Sequence, residues 1–508
     1  MNLNREILRL ALPSILANIT VPLVGMVDIA VAGHLGTEAD ATGGPSGLTA
    51  AALIGGISVG SMLFDMLYWN FGFLRTGTGG LTAQAYGRLR RFCPLLFASN
   101  SPRDGRAPDD AIHPSPPEGL TAALRDIADT HSRALGIAIG SGLVLIAVQW
   151  LVVQAAFLVV RCTPEVRLLA ERYFYIRIWA APATLSLFAF KGWFIGMQDT
   201  VRPMVCDLLV NGLNILLSIG LAFGLAGLPA LGFSGVATGT VIAQWSGFLY
   251  AALAVHHRYG PWIFRGYTPA DAIRAFRPLQ EPASTGQPGG LRAFFTLNRD
   301  LVVRSMGMIA VYIGFTVISA RYGDLMLAVS TILMKLLMIF SYFTDGFAYA
   351  GEALTGRFIG ERSADGVRST VRGTFAWSMG IAGLFVLAYA FGGIPAVRLM
   401  TSDNTVVDAS REFLPWLLLM PLIGCPAFTW DGIYVGATAS RPLRNATLWC
   451  AVGFFTAWGL GIILAGPRLS DTLAIHILMA AYFVHLAIRT LYQSARYRSA
   501  ILSPHFGE

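Results

Sequence analysis

The sequence predicts an all-α integral membrane protein with twelve transmembrane helices in two six-helix lobes. Three observations carry this reading. Of the 508 residues, 55% are hydrophobic and 13% charged, with a mean hydropathy of +0.58. A spanning helix needs about 20 mostly apolar residues, and a dozen runs qualify: 6–34, 48–75, 130–160, 168–197, 203–227, 231–257, 297–320, 325–353, 373–399, 411–437, 443–466 and 472–494. A Gly/Pro/Ser-rich segment at 278–290 falls near mid-chain, where a linker between two halves belongs. The expected organisation is an N-terminal lobe, 1–258, carrying a cytoplasmic insertion at 87–129. A cytoplasmic linker, 259–296, and a C-terminal lobe, 297–508, follow.

The first run opens on Arg5 and Arg9 and contains Ala30-Val31-Ala32, features shared with cleaved secretion signals. Its length, Pro22, Asp28 and the spans behind it argue for an uncleaved first helix. Pro22 removes one backbone hydrogen bond and crowds the preceding turn, which kinks a helix. Asp28 follows six residues later. An ionised carboxylate inside hydrocarbon costs roughly 3 kcal/mol or more, so such a residue is a functional-site hypothesis by default and points toward ion-coupled transport. Protonation would remove that cost and shift the bend, linking cation binding to cavity shape. A plain structural kink is the alternative.

In the second run Ser58, Asp65, Trp69 and Gly72 share one face. The stretch from Pro102 to Gly119, with Pro114-Ser115-Pro116-Pro117, is too rich in Pro, Asp and Arg to bury a core and reads as a flexible insertion. The connection at 161–172 mixes Arg161, Arg167 and Arg172 with Glu165 and Glu171, an amphipathic flank of the fourth span. On the fifth span Asp207, Asn211, Asn214 and Ser218 align closely. On the eighth, Lys335, Tyr342, Asp345, Tyr349 and Glu352 lie within roughly a third of the circumference at 100° per residue. His476 and His485, on the last span, read as a structural pair rather than as ligands.

An internal similarity supports two halves. Pro182 precedes Pro203 by the spacing that separates Pro421 from Pro442, and Lys191-Gly192-Trp193-Phe194-Ile195-Gly196 can be laid on Asp431-Gly432-Ile433-Tyr434-Val435-Gly436. Each segment belongs to the fourth span of its half. Parallel six-span repeats place a substrate cavity between the halves near the bilayer midplane.

Charge is distributed as in a membrane protein. The net +8 arises from arginines in alternate connections: Arg5 and Arg9; Arg88, Arg90, Arg91, Arg103, Arg106 and Arg125; Arg258, Arg265, Arg274, Arg277 and Arg292; Arg357, Arg362, Arg368 and Arg372; Arg441 and Arg444; Arg496 and Arg498. The positive-inside rule then makes both termini cytoplasmic and the number of spans even. This pattern argues against nucleic acid as a partner. The only lysines, Lys191 and Lys335, lie inside predicted spans, which assigns topology to arginine and leaves two primary amines in the bundle. Snorkelling or static ion pairing is the plainer reading of both. Asparagines on such stripes glue helices with about 1 kcal/mol per contact. The carboxylates Asp28, Asp65, Asp207, Asp345, Glu352 and Asp431 are too many for glue alone, so at least one is expected to titrate during function.

Five cysteines without CxxC spacing imply neither a disulfide framework nor a metal site. Neither lysine stands in a GxxxxGK[ST] loop, and no HExxH pair or nucleophile elbow occurs. ATP-driven transport and intramembrane hydrolysis are therefore disfavoured, and no enzyme activity is expected.

Specific motifs bring a family into view: Pro22 through Asp28 with Gly33-His34-Leu35-Gly36, and the run Gly72-Phe73-Leu74-Arg75-Thr76-Gly77-Thr78-Gly79-Gly80-Leu81-Thr82-Ala83-Gln84-Ala85-Tyr86-Gly87-Arg88. Further matches are Asn298-Arg299-Asp300, Asp345-Gly346-Phe347-Ala348-Tyr349, Glu352-Ala353-Leu354 and Asp431 through Thr438. The chain resembles the multidrug and toxic compound extrusion (MATE) family, and within it the DNA-damage-inducible F subgroup, over essentially its whole length. The resemblance implies rocker-switch alternating access and export of organic cations or amphipaths driven by inward H+ or Na+. It implies that Asp28 is the cation-coupling residue of the N-terminal lobe, with Asn214 and Thr240 as partners. One departure is specific: the carboxylate expected one turn after Asn214 is Ser218 here, which weakens the case for Na+ and favours H+. The insertion at 92–118 and the acidic, Gly-rich 37–47 also depart from the pattern.

The expected protein is thus an antiporter of the plasma (inner) membrane, acting as a monomer on a small cationic or amphipathic substrate, without a cofactor beyond its coupling ion. Asp65, Lys191, Asp207, Asn211, Lys335, Asp345, Glu352 and Asp431 are its candidate cavity-lining residues. Two rivals stand beside this reading. One is a flippase for a lipid-linked precursor, which needs a strongly cationic, arginine-lined cavity; the other is a membrane sensor or scaffold without turnover.

Overall fold

The computed structural model describes residues 2–41, 49–92, 118–160, 162–276, 291–401 and 403–507. Among them eleven stretches are long and apolar enough to cross a membrane, and one, Phe295–Gly360, contains two helices, which makes twelve spans. The first half comprises Leu3–Ala41, Ala50–Trp69 continued by Phe73–Phe92, Glu118–Ala147 continued by Gln149–Val159, Pro164–Arg177 continued by Ala181–Gly196, Val201–Phe223 and Phe233–Tyr259. The second half comprises Leu291–Ser319, Gly323–Gly360, Ala364–Met400, Leu414–Gly436, Ser440–Ala465 and Asp471–Tyr497.

Local chemistry sets several helix ends. Thr49, Thr163, Ser363 and Ser470 each accept a hydrogen bond from a first-turn amide, the standard way to satisfy a donor that has no partner within the helix. Pro164 then occupies the first turn of the fourth span, where its missing N–H is harmless. Gly224, with φ of +69°, ends the fifth span in a left-handed conformation open to glycine. The first span stays helical through Pro13 and Pro22.

Apolar packing divides the molecule. Two cores, one around Phe64 and Phe174 and one around Trp193 and Ile127, belong to the first six spans. The largest core of the other six gathers Phe340, Phe413, Phe454 and Leu478. Leu158, Phe391 and Leu464 are each 85% exposed, as fits helices whose outer faces meet hydrocarbon. The internal repeat is visible in the packing. A side chain at Gly192 would strike the carbonyl of Arg75 on the second span, and one at Gly432 would strike that of Ala348 on the eighth. The fourth and tenth spans thus lean on their partners through equivalent glycines.

The lobes meet at the end that carries the N-terminus. Ile7, Leu10, Ala11 and Ile15 pack against Phe347, Ala350 and Leu354. Arg357 donates to Glu6 at 3.0 Å and to Gln198 at 3.2 Å, and Gln84 donates to the Gly436 carbonyl at 3.1 Å. Second and eighth spans approach closely here, since a Cβ on Gly87 would collide with the Arg357 carbonyl. Gly87→Val is therefore expected to hold this seam open. Overpacking against backbone costs up to about 3 kcal/mol, a roughly hundredfold shift between closed and open populations. A longer distance between spin labels on the ends of the two spans, read by pulsed paramagnetic resonance, is the check; an unchanged distance would contradict it.

Four expectations need correction. The second span does not leave the membrane at 75; after a break at 70–72 it continues to Phe92, because Thr76, Thr78 and Thr82 are buried against neighbouring spans rather than facing lipid. The third span likewise starts at Glu118, so the 87–129 insertion shrinks at both ends, and 93–117 lie outside the described residues. The linker 259–296 is not a free tether throughout: Tyr267 donates to Asp129 at 2.7 Å and Arg133 to the Ala275 carbonyl at 2.5 Å, which docks 259–276 on the third span. The two histidines do not form a pair either. His476 accepts from Trp416 at 2.8 Å and stacks on Phe413, whereas His485 is buried against Tyr482.

Candidate functional site

The fifth-span stripe faces three neighbours at once. Its outer members fix helices: Asn211 donates to Thr20 of the first span at 2.6 Å, and Asp207 accepts from Lys191 of the fourth at 2.6 Å. One and two turns further, Asn214 donates to Thr240 of the sixth span at 2.9 Å, and Ser218 donates to Asp28 at 3.1 Å. Ser218 also reaches the Asn214 side-chain oxygen at 3.3 Å. Asp28, Asn214, Ser218 and Thr240 therefore form one connected cluster, and all four are buried.

Its electrostatics are unusual. Among the described residues Asp28 receives a hydrogen bond only from the Ser218 hydroxyl, with no guanidinium or ammonium in direct contact. The nearest cation acting on it is Arg177 of the fourth span, whose charge also acts on Asp65. Arg177 is held elsewhere, donating to Tyr173 at 3.1 Å and lying over the Phe64 ring at 4.8 Å. A buried carboxylate with one neutral donor is open to a proton or a small cation at its remaining oxygen. Ser218 brings a neutral oxygen and no formal charge to this cluster.

A second constellation lies between the lobes. The eighth-span stripe is graded in exposure: Lys335 is exposed, Tyr342, Asp345 and Tyr349 are half-buried, and Glu352 is buried. Asp65 is exposed on the facing second span, and Trp69 meets Tyr312 edge-on at 5.9 Å. The cleft thus narrows toward the seam. At its floor Arg75 bonds Glu352 at 3.2 Å and lies 4.4 Å over the Tyr349 ring. Asp431 accepts from Arg304, Arg489 and Gln493, the last at 2.9 Å. Asp345 has no direct partner among the described residues, but Arg75, Lys191, Arg304 and Arg489 all act on its charge. Four cations face four carboxylates: Asp207, Asp345, Glu352 and Asp431.

Sequence reasoning missed the arginines. Arg75, Arg177, Arg304 and Arg489 are not topology markers but components of the bundle, the last only 2% exposed at its side chain. The signal was present, since all four fall inside predicted apolar runs. A delocalised, weakly hydrated guanidinium tolerates such burial when carboxylates and aromatic faces surround it. Lys191 takes its plainer reading, a static pair with Asp207, while Lys335 is exposed in the cleft.

Known proteins share this architecture. The family model MatE matches residues 123–219 and 301–456. DNA damage-inducible protein F of Escherichia coli is 30% identical over 496 residues, covering 97% of this chain and 92% of that protein. Protein DETOXIFICATION 42 of Arabidopsis thaliana is 25% identical over 86% of this chain and 82% of that protein. A crystal structure of MATE in the bent conformation superposes with a TM-score of 0.72 at 16% identity, covering 99% and 97% of the two chains. An outward-facing multidrug resistance MATE transporter of the MOP superfamily gives 0.70, also at 16% identity, covering 99% and 97%.

Proposed function

The chain belongs to the MatE family of multidrug and toxic compound efflux transporters, and from that premise we propose that it exports organic cations or amphipathic toxic compounds in exchange for inward H+. The observation that carries the reading is the Asp28 cluster: a buried carboxylate contacted by one hydroxyl, on the span that also carries Pro22 and borders both the fifth span and the seam. Proton entry at Asp28 neutralises a charge that the protein interior solvates poorly, and the first span carries that change toward the lobe interface. H+ is favoured over Na+ because Ser218 stands where a second carboxylate would complete a metal-like oxygen set.

The arginine-rich loops support a cytoplasmic seam and cytoplasmic termini, an orientation in which the cleft opens outward from a plasma (inner) membrane. Its four floor cations are matched by four carboxylates, unlike the strongly cationic cavity that a lipid-linked anion requires.

The test is efflux of ethidium from vesicles reconstituted with the parent protein, under a pH gradient or a Na+ gradient imposed separately. Export driven by the pH gradient is expected. Export driven by Na+ alone would overturn proton coupling, and no export under either gradient would put the flippase reading first.

A further inference from the structure

Arg75 occupies something built like a receptor for an organic cation. Its guanidinium rests on the face of Tyr349 at 4.4 Å while Glu352 binds its edge at 3.2 Å. An aromatic face combined with a carboxylate is how proteins recognise delocalised or quaternary cations. Glu352 is 1% exposed, and its second oxygen, Oε1, has no hydrogen-bond partner among the described residues. Asp345, one turn before Tyr349, adds negative charge without a direct partner of its own.

The occupant comes from the other lobe. Tyr349, Glu352 and Asp345 lie on the eighth span, Arg75 on the second. If the seam parts, Arg75 and Gly79 depart with the first lobe, and Glu352 loses both its guanidinium partner and its cover, so that another cation can take the vacated place. We propose that Tyr349 and Glu352 form the loading site for the cargo cation, and that Arg75 is the resident occupant which the cargo replaces when the seam opens. This rests on the alternating-access export proposed above. It specifies a class of cargo: planar or quaternary, weakly hydrated cations such as guanidinium, amidinium and aromatic ammonium groups, in preference to compact, strongly hydrated amines. Because cargo binds where Arg75 has left, it also shifts the equilibrium toward the opened seam.

The test is equilibrium binding of tetraphenylphosphonium to the full-length protein in nanodiscs. Arg75→Ala removes the competitor and is expected to tighten binding about tenfold. Glu352→Gln breaks the same seam contact but damages the site, so it is expected to weaken binding at least tenfold, as is Tyr349→Leu, and each should erase the gain when combined with Arg75→Ala. A mere latch predicts the opposite for Glu352→Gln, because opening the seam by either partner would then improve access. Binding that tightens in Glu352→Gln, or that Tyr349→Leu leaves unchanged, would sink the proposal; these two variants decide it even if Arg75→Ala does not fold. Parent vesicles separate the two readings. Gradient-driven efflux with a failed binding pattern removes only the loading site, whereas no efflux under any gradient removes both.

Discussion

Asp28→Asn is expected to collapse the substrate gradient that the transporter maintains while leaving cargo binding intact. The exchange keeps the shape of the site, because an asparagine side-chain oxygen can accept from Ser218 as Asp28 does at 3.1 Å. What it removes is the ability to gain and lose a charge. One proton entering for one monovalent cation leaving moves no net charge, so the pH difference alone drives the exchange, at about 1.4 kcal/mol or a tenfold concentration ratio per pH unit. With two pH units imposed across the vesicle membrane the steady-state ratio should therefore fall from about 100 toward one, with tetraphenylphosphonium affinity changed by less than about threefold. Asp65→Asn supplies the contrast, since that carboxylate is exposed at the cleft wall and should alter apparent affinity more than coupling. A variant at Asp28 that still builds the parental gradient would take this residue out of the coupling step.

The fold and half of this site were legible for the same reason: helical periodicity is local. Spacings of three and four residues put Asp207, Asn211, Asn214 and Ser218 on one face, and the structure uses that face for contacts to three spans. Periodicity says which residues share a face, not what lies opposite; Thr240 entered only through the resemblance. The floor of the cleft was less legible because its partners are far apart in sequence. Arg75 meets Glu352 across 277 positions and Arg304 meets Asp431 across 127, and nothing near either arginine announces a carboxylate. Assigning topology to arginine therefore overlooked one buried guanidinium, Arg489, and three half-buried ones, Arg75, Arg177 and Arg304. The misplaced end of the second span has a related cause. Its Gly- and Thr-rich sequence lacks the hydropathy of a lipid-facing helix, yet it is buried between spans, where small residues allow close packing.

That buried charge sets up the second large effect, at Asp431. The carboxylate is shared by Arg304 and Arg489 and accepts from Gln493 at 2.9 Å. Arg489 is almost wholly enclosed, and Arg304 is 13% exposed at its side chain. Asp431→Ala would leave two guanidiniums side by side in a poorly solvated site without their common counter-ion. Breaking a buried pair by removing one partner costs about 3–5 kcal/mol, and like-charge repulsion adds to that. The variant is expected to unfold at a distinctly lower temperature in detergent, followed by tryptophan fluorescence, whether or not it still binds cargo. The reverse experiment separates charge from packing. A triple variant, Arg304→Met, Asp431→Leu and Arg489→Met, removes all the charge at similar volume and should be more stable than Asp431→Ala alone, because apolar residues carry no desolvation cost. If the triple variant is instead the less stable of the two, the cluster contributes net stability to the C-terminal lobe and its arginines are more than a neutralising pair. The comparison also bears on coupling. Asp431 is neutralised by two resident cations and coupling is assigned to Asp28, so the triple variant, if folded, should retain the pH-driven export that Asp28→Asn loses.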